Sequence, residues 1–157
     1  MTKSIFRTCA ILALALMGSQ TLLAQDAHSI VGAWDVSVTV KNCSTGAVIR
    51  TVRSIQMFSQ DGSFTETANT FLRGSSLGSW DRTGGETYNA TFWFFRYTAT
   101  GTFASFAQAL DSITLSDDGN TFTASGTIQD FDASNNLIST GCFTHSAMRL
   151  TATPPGN

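Results

Sequence analysis

Apolar and polar residues alternate along most of this chain, and glycine-rich turn signals interrupt the alternation at short intervals. Between residues 30 and 40, for example, the apolar side chains of Trp34, Val36 and Val38 fall on one face. A period of two is typical of a half-buried β-strand, whereas a helix repeats its apolar face about every 3.6 residues. The chain is therefore predicted to be all-β, with little or no helix after its first 24 residues.

The turn signals divide the chain into eight predicted strands that follow one another as a meander. Asp-Gly pairs at 61–62 and 118–119 are strong hairpin signals. Eight antiparallel strands are most stable as a closed sheet because closure removes both exposed edges. We therefore predict an eight-stranded antiparallel up-and-down barrel, whose interior holds packed side chains or one small ligand. The predicted strands are residues 30–40, 47–59, 63–69, 79–82, 86–97, 103–115, 121–131 and 137–151.

The first 24 residues have the order of a secretory signal peptide. Lys3 and Arg7 form a short basic start, an apolar run follows at 10–17, and Ala24 ends the segment. The apolar run is too short to span a bilayer, as is usual for export signals. Cleavage is expected near Ala24, in a secreted or periplasmic protein. It would leave an N-terminal arm at 25–29, a β-barrel domain at 30–151 and a flexible tail at 152–157.

Removal of the signal peptide also removes Cys9 and leaves two cysteines, Cys43 and Cys142. An even pair in an oxidising compartment predicts one disulfide, with two unpaired thiols as the alternative. Cys43 follows the first predicted strand and Cys142 lies near the start of the eighth. Closure of a barrel through these two strands would make the cysteines neighbours, whereas a sandwich of the same strands would not require it.

Charge and composition exclude several classes of partner. Without the signal peptide the chain carries seven basic and eleven acidic residues, so it lacks the basic surface that nucleic acids and anionic membranes attract. Hydrophobic residues make up 42% of the chain and charged residues 13%, which is typical of a folded domain and not of a disordered one. We expect no stable membrane insertion, no nucleic-acid partner and no cofactor.

The first and last strands carry a resemblance to a known family. Gly32, Ala33 and Trp34 resemble the Gly-x-Trp signature of the lipocalins and the wider calycin group. The whole pattern is also similar to small exported bacterial lipocalin-like proteins. In that family the tryptophan closes the floor of the barrel and an arginine of the last strand packs over it, which implies Trp34 and Arg149 as floor residues. The resemblance further implies a calycin-like barrel that carries a small hydrophobic ligand.

The predicted strand 86–97 is rich in aromatic residues on both faces. Phe92, Phe94 and Arg96 share one face. If that face points inward, it forms either a filled core or an aromatic wall around an apolar ligand, with Arg96 fixing a polar head group. The predicted ligand-binding residues are Phe92, Phe94, Arg96, Phe106 and His145.

The other face of that strand carries Trp93, Phe95 and Tyr97. If the first face is inward, this second set faces solvent, and an exposed aromatic patch usually marks an interface. A homo-oligomer through this outward aromatic face is therefore an expectation of the sequence.

His145 is the only histidine of the predicted barrel domain, and it shares a strand face with Arg149. It is therefore expected to point inward, where it would bind a carboxylate, act as a base, or serve as a hydrogen-bonded packing residue. No His-x-His or His-Glu-x-x-His pattern indicates a metal site, and no serine lies in a Gly-x-Ser-x-Gly elbow. No metal ligand and no catalytic motif are predicted.

The favoured function is that of an exported binding protein for a small hydrophobic or amphipathic molecule held in the barrel. One alternative is a small barrel cyclase or isomerase acting on an apolar substrate, with His145, Arg96 and Tyr97 as the acid–base groups. The other is a non-catalytic, self-associating structural barrel. Arg50 and Arg53 lie on opposite faces of the second predicted strand, so only one of them can face inward. If Arg53 faces inward, it would contact the ligand. Both arginines also fit positions at the rim of the barrel or at an interface.

Overall fold

The computed structural model describes residues 29–151. The predicted signal peptide at 1–24, the arm up to residue 28 and the tail at 152–157 lie outside this range. Eight strands form within it, in the order that the alternation predicts. They are β1 (Gly32–Lys41), β2 (Val48–Phe58), β3 (Ser63–Ala68), β4 (Ser76–Gly84), β5 (Thr87–Tyr97), β6 (Phe103–Leu115), β7 (Thr121–Phe131) and β8 (Leu137–Arg149).

Each strand pairs antiparallel with the next, and β1 pairs with β8 to close the sheet. The closing register runs from Trp34 opposite Arg149 to Lys41 opposite Cys142. The predicted fold, a closed eight-stranded antiparallel up-and-down barrel, is confirmed, and residues 29–151 contain no helix. Within that range, accordingly, there is no helix of the length and apolarity needed to cross a membrane.

The alternating chain direction gives the barrel two different ends. The three short turns at 59–62, 85–86 and 116–120 lie at the end where β1 begins, which we call the floor end. The four connections at 42–47, 69–75, 98–102 and 132–136 lie at the opposite end, which we call the open end.

The floor half of the barrel is filled by aromatic side chains. Trp34 meets Phe122 edge to face at 4.9 Å between ring centroids, and Phe58 meets Phe64 at 5.0 Å and Phe122 at 6.0 Å. All four are buried. Edge-to-face pairs add about 0.5–1.5 kcal/mol each beyond the burial of their area. The interior is therefore solid at this end.

β4 is longer than predicted, because it begins at Ser76 and not at residue 79. The sequence assigns residues 73–78 to a flexible connection, since glycine and serine predominate there. In the structure Ser76 is fully buried and its hydroxyl donates a hydrogen bond of 2.8 Å to the Glu66 carboxylate. This buried contact holds the start of β4 in the sheet.

The predicted disulfide between Cys43 and Cys142 is confirmed, with the two Cα atoms 5.1 Å apart. In the register that closes the barrel, Cys142 lies opposite Lys41. Lys41 is two residues before Cys43, so the two cysteines are close. The disulfide therefore ties the loop after β1 to β8 near the open end. A disulfide is consistent with an exported protein.

Candidate functional site

The open half of the barrel encloses a cavity of about 240 Å³. It is bounded towards the floor by Phe92, whose ring lies 4.7 Å from that of Phe64. The wall formed by β5 to β8 and β1 is mainly apolar, and the wall formed by β2, β3 and the 69–75 connection is mainly polar. The apolar lining consists of Val38, Val40, Val52, Leu72, Phe92, Phe94, Ala104, Ala109, Ile128 and Phe143.

Four of the five residues predicted to bind a ligand line this cavity: Phe92, Phe94, Arg96 and His145. Phe106, the fifth, does not. The buried positions of β6 have odd numbers, so Phe106 faces outward and its ring lies 5.7 Å from that of Phe95. Both faces of β6 carry apolar residues, so the alternation of the sequence does not identify which face of this strand points inward.

The floor residues implied by the family resemblance, Trp34 and Arg149, are in contact. The guanidinium carbon of Arg149 lies 4.3 Å from the Trp34 ring centroid. Its nitrogens donate hydrogen bonds to backbone carbonyls, including those of Val31 and Gly119, both at 2.7 Å. Gly32 has φ +134°, and a Cβ there would lie 2.9 Å from Nη1 of Arg149. The glycine of the Gly-x-Trp pattern therefore leaves room for the arginine that closes the floor.

A buried cluster of polar side chains forms the polar wall. Glu66 on β3 is 3% exposed and accepts hydrogen bonds from Arg73 and Ser76. The amide nitrogen of Gln56 lies 3.5 Å from the other carboxylate oxygen of Glu66. The sequence-based predictions do not include this cluster. Its signal was that Gln56 and Glu66 occupy inward positions in β2 and β3, where an apolar residue would be expected.

Arg73 extends from the 69–75 connection into the barrel. Its guanidinium carbon lies 3.5 Å from the Phe94 ring centroid, and its side chain is 12% exposed. Gly74 donates a backbone hydrogen bond to Phe95, which fixes the connection against β5. Burial lowers the pKa of Arg73, the Glu66 carboxylate opposes that shift, and the positive charges of Arg96 and Arg50 add to it.

His145 forms a buried pair with Asp111 on the other side of the cavity. Nδ1 of His145 lies 3.0 Å from Oδ2 of Asp111, and both side chains are almost completely buried. The ring nitrogen makes no aligned hydrogen bond with this carboxylate. Asp111 reaches β8 across Gly126 of β7, where a Cβ would come within 2.5 Å of the Phe143 ring. His145 also stacks on Phe143, at 4.8 Å between centroids.

Two further arginines lie around the cavity mouth. Nε of Arg96 donates a 2.5 Å hydrogen bond to Asp130. Arg50 lines the cavity, and it makes no hydrogen bond or ion pair with any other residue between 29 and 151. Arg53 faces outward and pairs with Asp35 at 2.5 Å. Of the two arginines on β2, the one that contacts the cavity is therefore Arg50.

The outside of the barrel carries a row of aromatic and aliphatic side chains across β5 to β8. Phe95 pairs with Phe106, Phe106 with Phe131, and Phe131 with Leu137 in the sheet register. Phe103 adds to the row, with its ring 6.1 Å from that of Phe95. We call these five residues the outer aromatic face. Tyr97, which the alternation placed in the outward set, lines the cavity instead because the register shifts between residues 96 and 97.

Comparison with known proteins finds no matching family, no similar curated protein and no similar solved structure. The closed eight-stranded antiparallel barrel is consistent with the calycin-like fold that the sequence resembles. Among residues 29–151, no group of three or more histidine, cysteine and carboxylate side chains is placed to hold a metal ion. A functional conclusion therefore depends on the geometry of the cavity.

Proposed function

We propose that this protein is an exported, lipocalin-like binding protein that holds a small amphipathic molecule in the open-end cavity. The observation that carries the proposal is the cavity itself, a space of about 240 Å³ in a barrel whose other half is filled. The predicted signal peptide and the disulfide support export.

The size and lining of the cavity indicate the kind of molecule. An apolar cavity of about 150 Å³ accepts benzene, so this one accommodates a somewhat larger molecule, such as a medium-length alkyl chain. Phe92, Phe94 and Phe143 offer it apolar surface, whose burial contributes roughly 25 cal/mol per Å². The polar residues Glu66 and Arg73 on the facing wall favour an amphipathic molecule over a pure hydrocarbon.

Entry from one end follows from the asymmetry of the barrel. Arg149 and the aromatic cluster around Trp34 close the floor. The cavity is lined near its mouth by residues of the 69–75 connection, including Thr70 and Leu72. A ligand would therefore enter between the open-end connections, with its apolar part directed towards Phe92.

Calorimetric titration of the oxidised protein with octan-1-ol tests this proposal. We expect saturable binding at one molecule per barrel. Ala109→Phe places a ring in the cavity and should abolish binding, whereas Leu110→Phe, on the outward face of the same strand, should preserve it. Val38→Phe is a second filling variant in case the first fails to fold. Absence of binding to the wild-type protein, or binding that both filling variants retain, would contradict the proposal.

A small barrel isomerase is the second candidate, and the buried His145–Asp111 pair favours it. Asp111 faces Nδ1 of His145, and Nε2 has no hydrogen-bond partner among residues 29–151. A neutral imidazole nitrogen can take a proton from the carbon beside a ketone and return it two carbons away, which shifts a double bond with no other reactant. Isomerisation of 3-cyclohexenone in deuterated water, lost in His145→Gln, would support this reaction. No turnover above that of His145→Gln would exclude it for this substrate.

A further inference from the structure

We infer that the molecule held in this cavity is an anion, with a carboxylate bound at the mouth by Arg50 and an apolar part beside Phe92 and Phe94. The inference rests on the proposed binding function and narrows its ligand class. It follows from the distribution of charge around the cavity, from the side of β2 on which Arg50 lies, and from two polar groups that lack partners.

The cavity lining contains more positive than negative charge. Three arginines line it, Arg50, Arg73 and Arg96, and the acidic residue among the lining side chains is Glu66. Glu66 pairs with Arg73, and Arg96 pairs with Asp130, which does not line the cavity. Asp111 faces the imidazole of His145 and does not line the cavity. The guanidinium of Arg50 is therefore left without a counter-charge among residues 29–151.

Arg50 lies on the lumen side of β2, which explains why it is available to a ligand. Ser54, Gln56 and Phe58 are the buried residues of this strand, and Arg50 has the same parity. Because β2 begins at the open end, Arg50 occupies the mouth and the buried positions lie deeper. Arg53, on the opposite face, is neutralised by Asp35.

Two further groups of the residues that line the cavity are suited to an anion. Nε of Arg73 is buried and has no hydrogen-bond partner within the described range, and the hydroxyl of Tyr97, which lines the cavity, also makes no hydrogen bond there. The positive charges of Arg96 and Arg50 lower the pKa of Arg73, in addition to the larger effect of burial. A bound anion would relieve this repulsion, and the low dielectric of the wall would strengthen its attraction.

A carboxylate fits this arrangement better than the other common head groups. One unpaired guanidinium matches a single negative charge and can bind both carboxylate oxygens at once. A phosphate monoester would bring nearly two negative charges to one uncompensated cation. An ammonium group would meet like charge at the mouth.

The test compares octanoate, octan-1-ol and octylammonium, which share one alkyl chain and differ in the head group. Calorimetric titrations would use the oxidised wild-type protein, Arg50→Gln and the matched control Arg53→Gln. We expect octanoate to bind most tightly and octylammonium least. Loss of a charge-assisted hydrogen bond should weaken octanoate binding to Arg50→Gln on the order of tenfold. Octan-1-ol binding should not change in either variant.

The outcomes separate this inference from the proposed function. If octan-1-ol binds as tightly as octanoate, or if Arg50→Gln binds octanoate as the wild type does, the anion inference is overturned and the binding function stands. If none of the three compounds binds, both are overturned. Sodium chloride should weaken octanoate binding and leave octan-1-ol binding unaffected, because the contact at Arg50 is near solvent and is screened by salt.

Discussion

The guanidinium group of Arg149 stacks on the indole ring of Trp34, with 4.3 Å between the guanidinium carbon and the ring centroid. The two residues lie opposite each other where β8 meets β1. The same guanidinium also donates hydrogen bonds to the carbonyls of Ser29, Val31 and Gly119. One side chain therefore joins the segment before β1, the β6–β7 turn and the last strand, and closes the floor of the barrel.

Arg149→Ala should lower the free energy of unfolding by about 2–3 kcal/mol, because it removes a cation–π contact and several hydrogen bonds to carbonyls. Arg149→Lys keeps the charge but not the planar fork, and should lose an intermediate amount. Urea unfolding followed by tryptophan fluorescence measures both. Equal stability of the alanine variant and the wild type would show that the floor contact contributes nothing.

The buried Asp111–His145 pair should be sensitive to loss of one partner. Asp111→Ala leaves the buried imidazole without its polar neighbour and should cost about 1–3 kcal/mol of unfolding free energy. The double variant Asp111→Leu with His145→Phe replaces both polar groups and should recover most of that loss. Chemical denaturation of the two variants tests this. A double variant no more stable than the single one would argue against a cost due to the unpaired group.

The Cys43–Cys142 disulfide closes a sequence separation of 99 residues, and chain entropy gives such a cross-link a stabilising effect of about 4–5 kcal/mol. Reduction should therefore lower the urea midpoint strongly. The Cys43→Ala, Cys142→Ala double variant should match the reduced protein and should not respond to reductant. A reduced protein as stable as the oxidised one would contradict the prediction.

The alternation of the sequence predicted the eight strands, the closed barrel and the disulfide, all of which depend on closure of the sheet. A meander of eight strands has its first and last strands free to pair, so Cys43 and Cys142 become neighbours on closure, as confirmed. The family resemblance implied the contact between Trp34 and Arg149, which the register brings together. These features follow from topology and do not depend on the detailed packing of one side chain.

The polar wall of the cavity could not be predicted in the same way. Arg73 lies in a segment whose glycine and serine content is typical of a flexible connection, and only burial against Glu66 and Phe94 makes it part of the site. The pairing of Asp111 with His145 joins β6 to β8 across β7, a relationship between three strands that spacing does not reveal. Phe106 was predicted to bind the ligand, but β6 has apolar residues on both faces, so the alternation does not identify its inward face.

The outer aromatic face should mediate association between copies of the barrel, as the sequence predicted for an exposed aromatic set. Phe95 and Leu137 are each more than half exposed, and a contiguous apolar patch favours association. Phe95→Ser should reduce self-association in sedimentation velocity at high protein concentration. Leu110→Ser, which alters an exposed apolar residue elsewhere on the surface, is the control. A wild-type protein that stays monomeric would contradict self-association.

The measurement that tests the account most directly is an amide NMR titration of the oxidised protein with octan-1-ol. Binding in the open-end cavity predicts saturable shifts at Val38, Phe94, Phe143 and His145, with the Trp34 indole at the floor unchanged. Shifts centred on the outer aromatic face, or no saturable shifts at all, would show that the barrel interior does not hold the ligand and would contradict the proposed function.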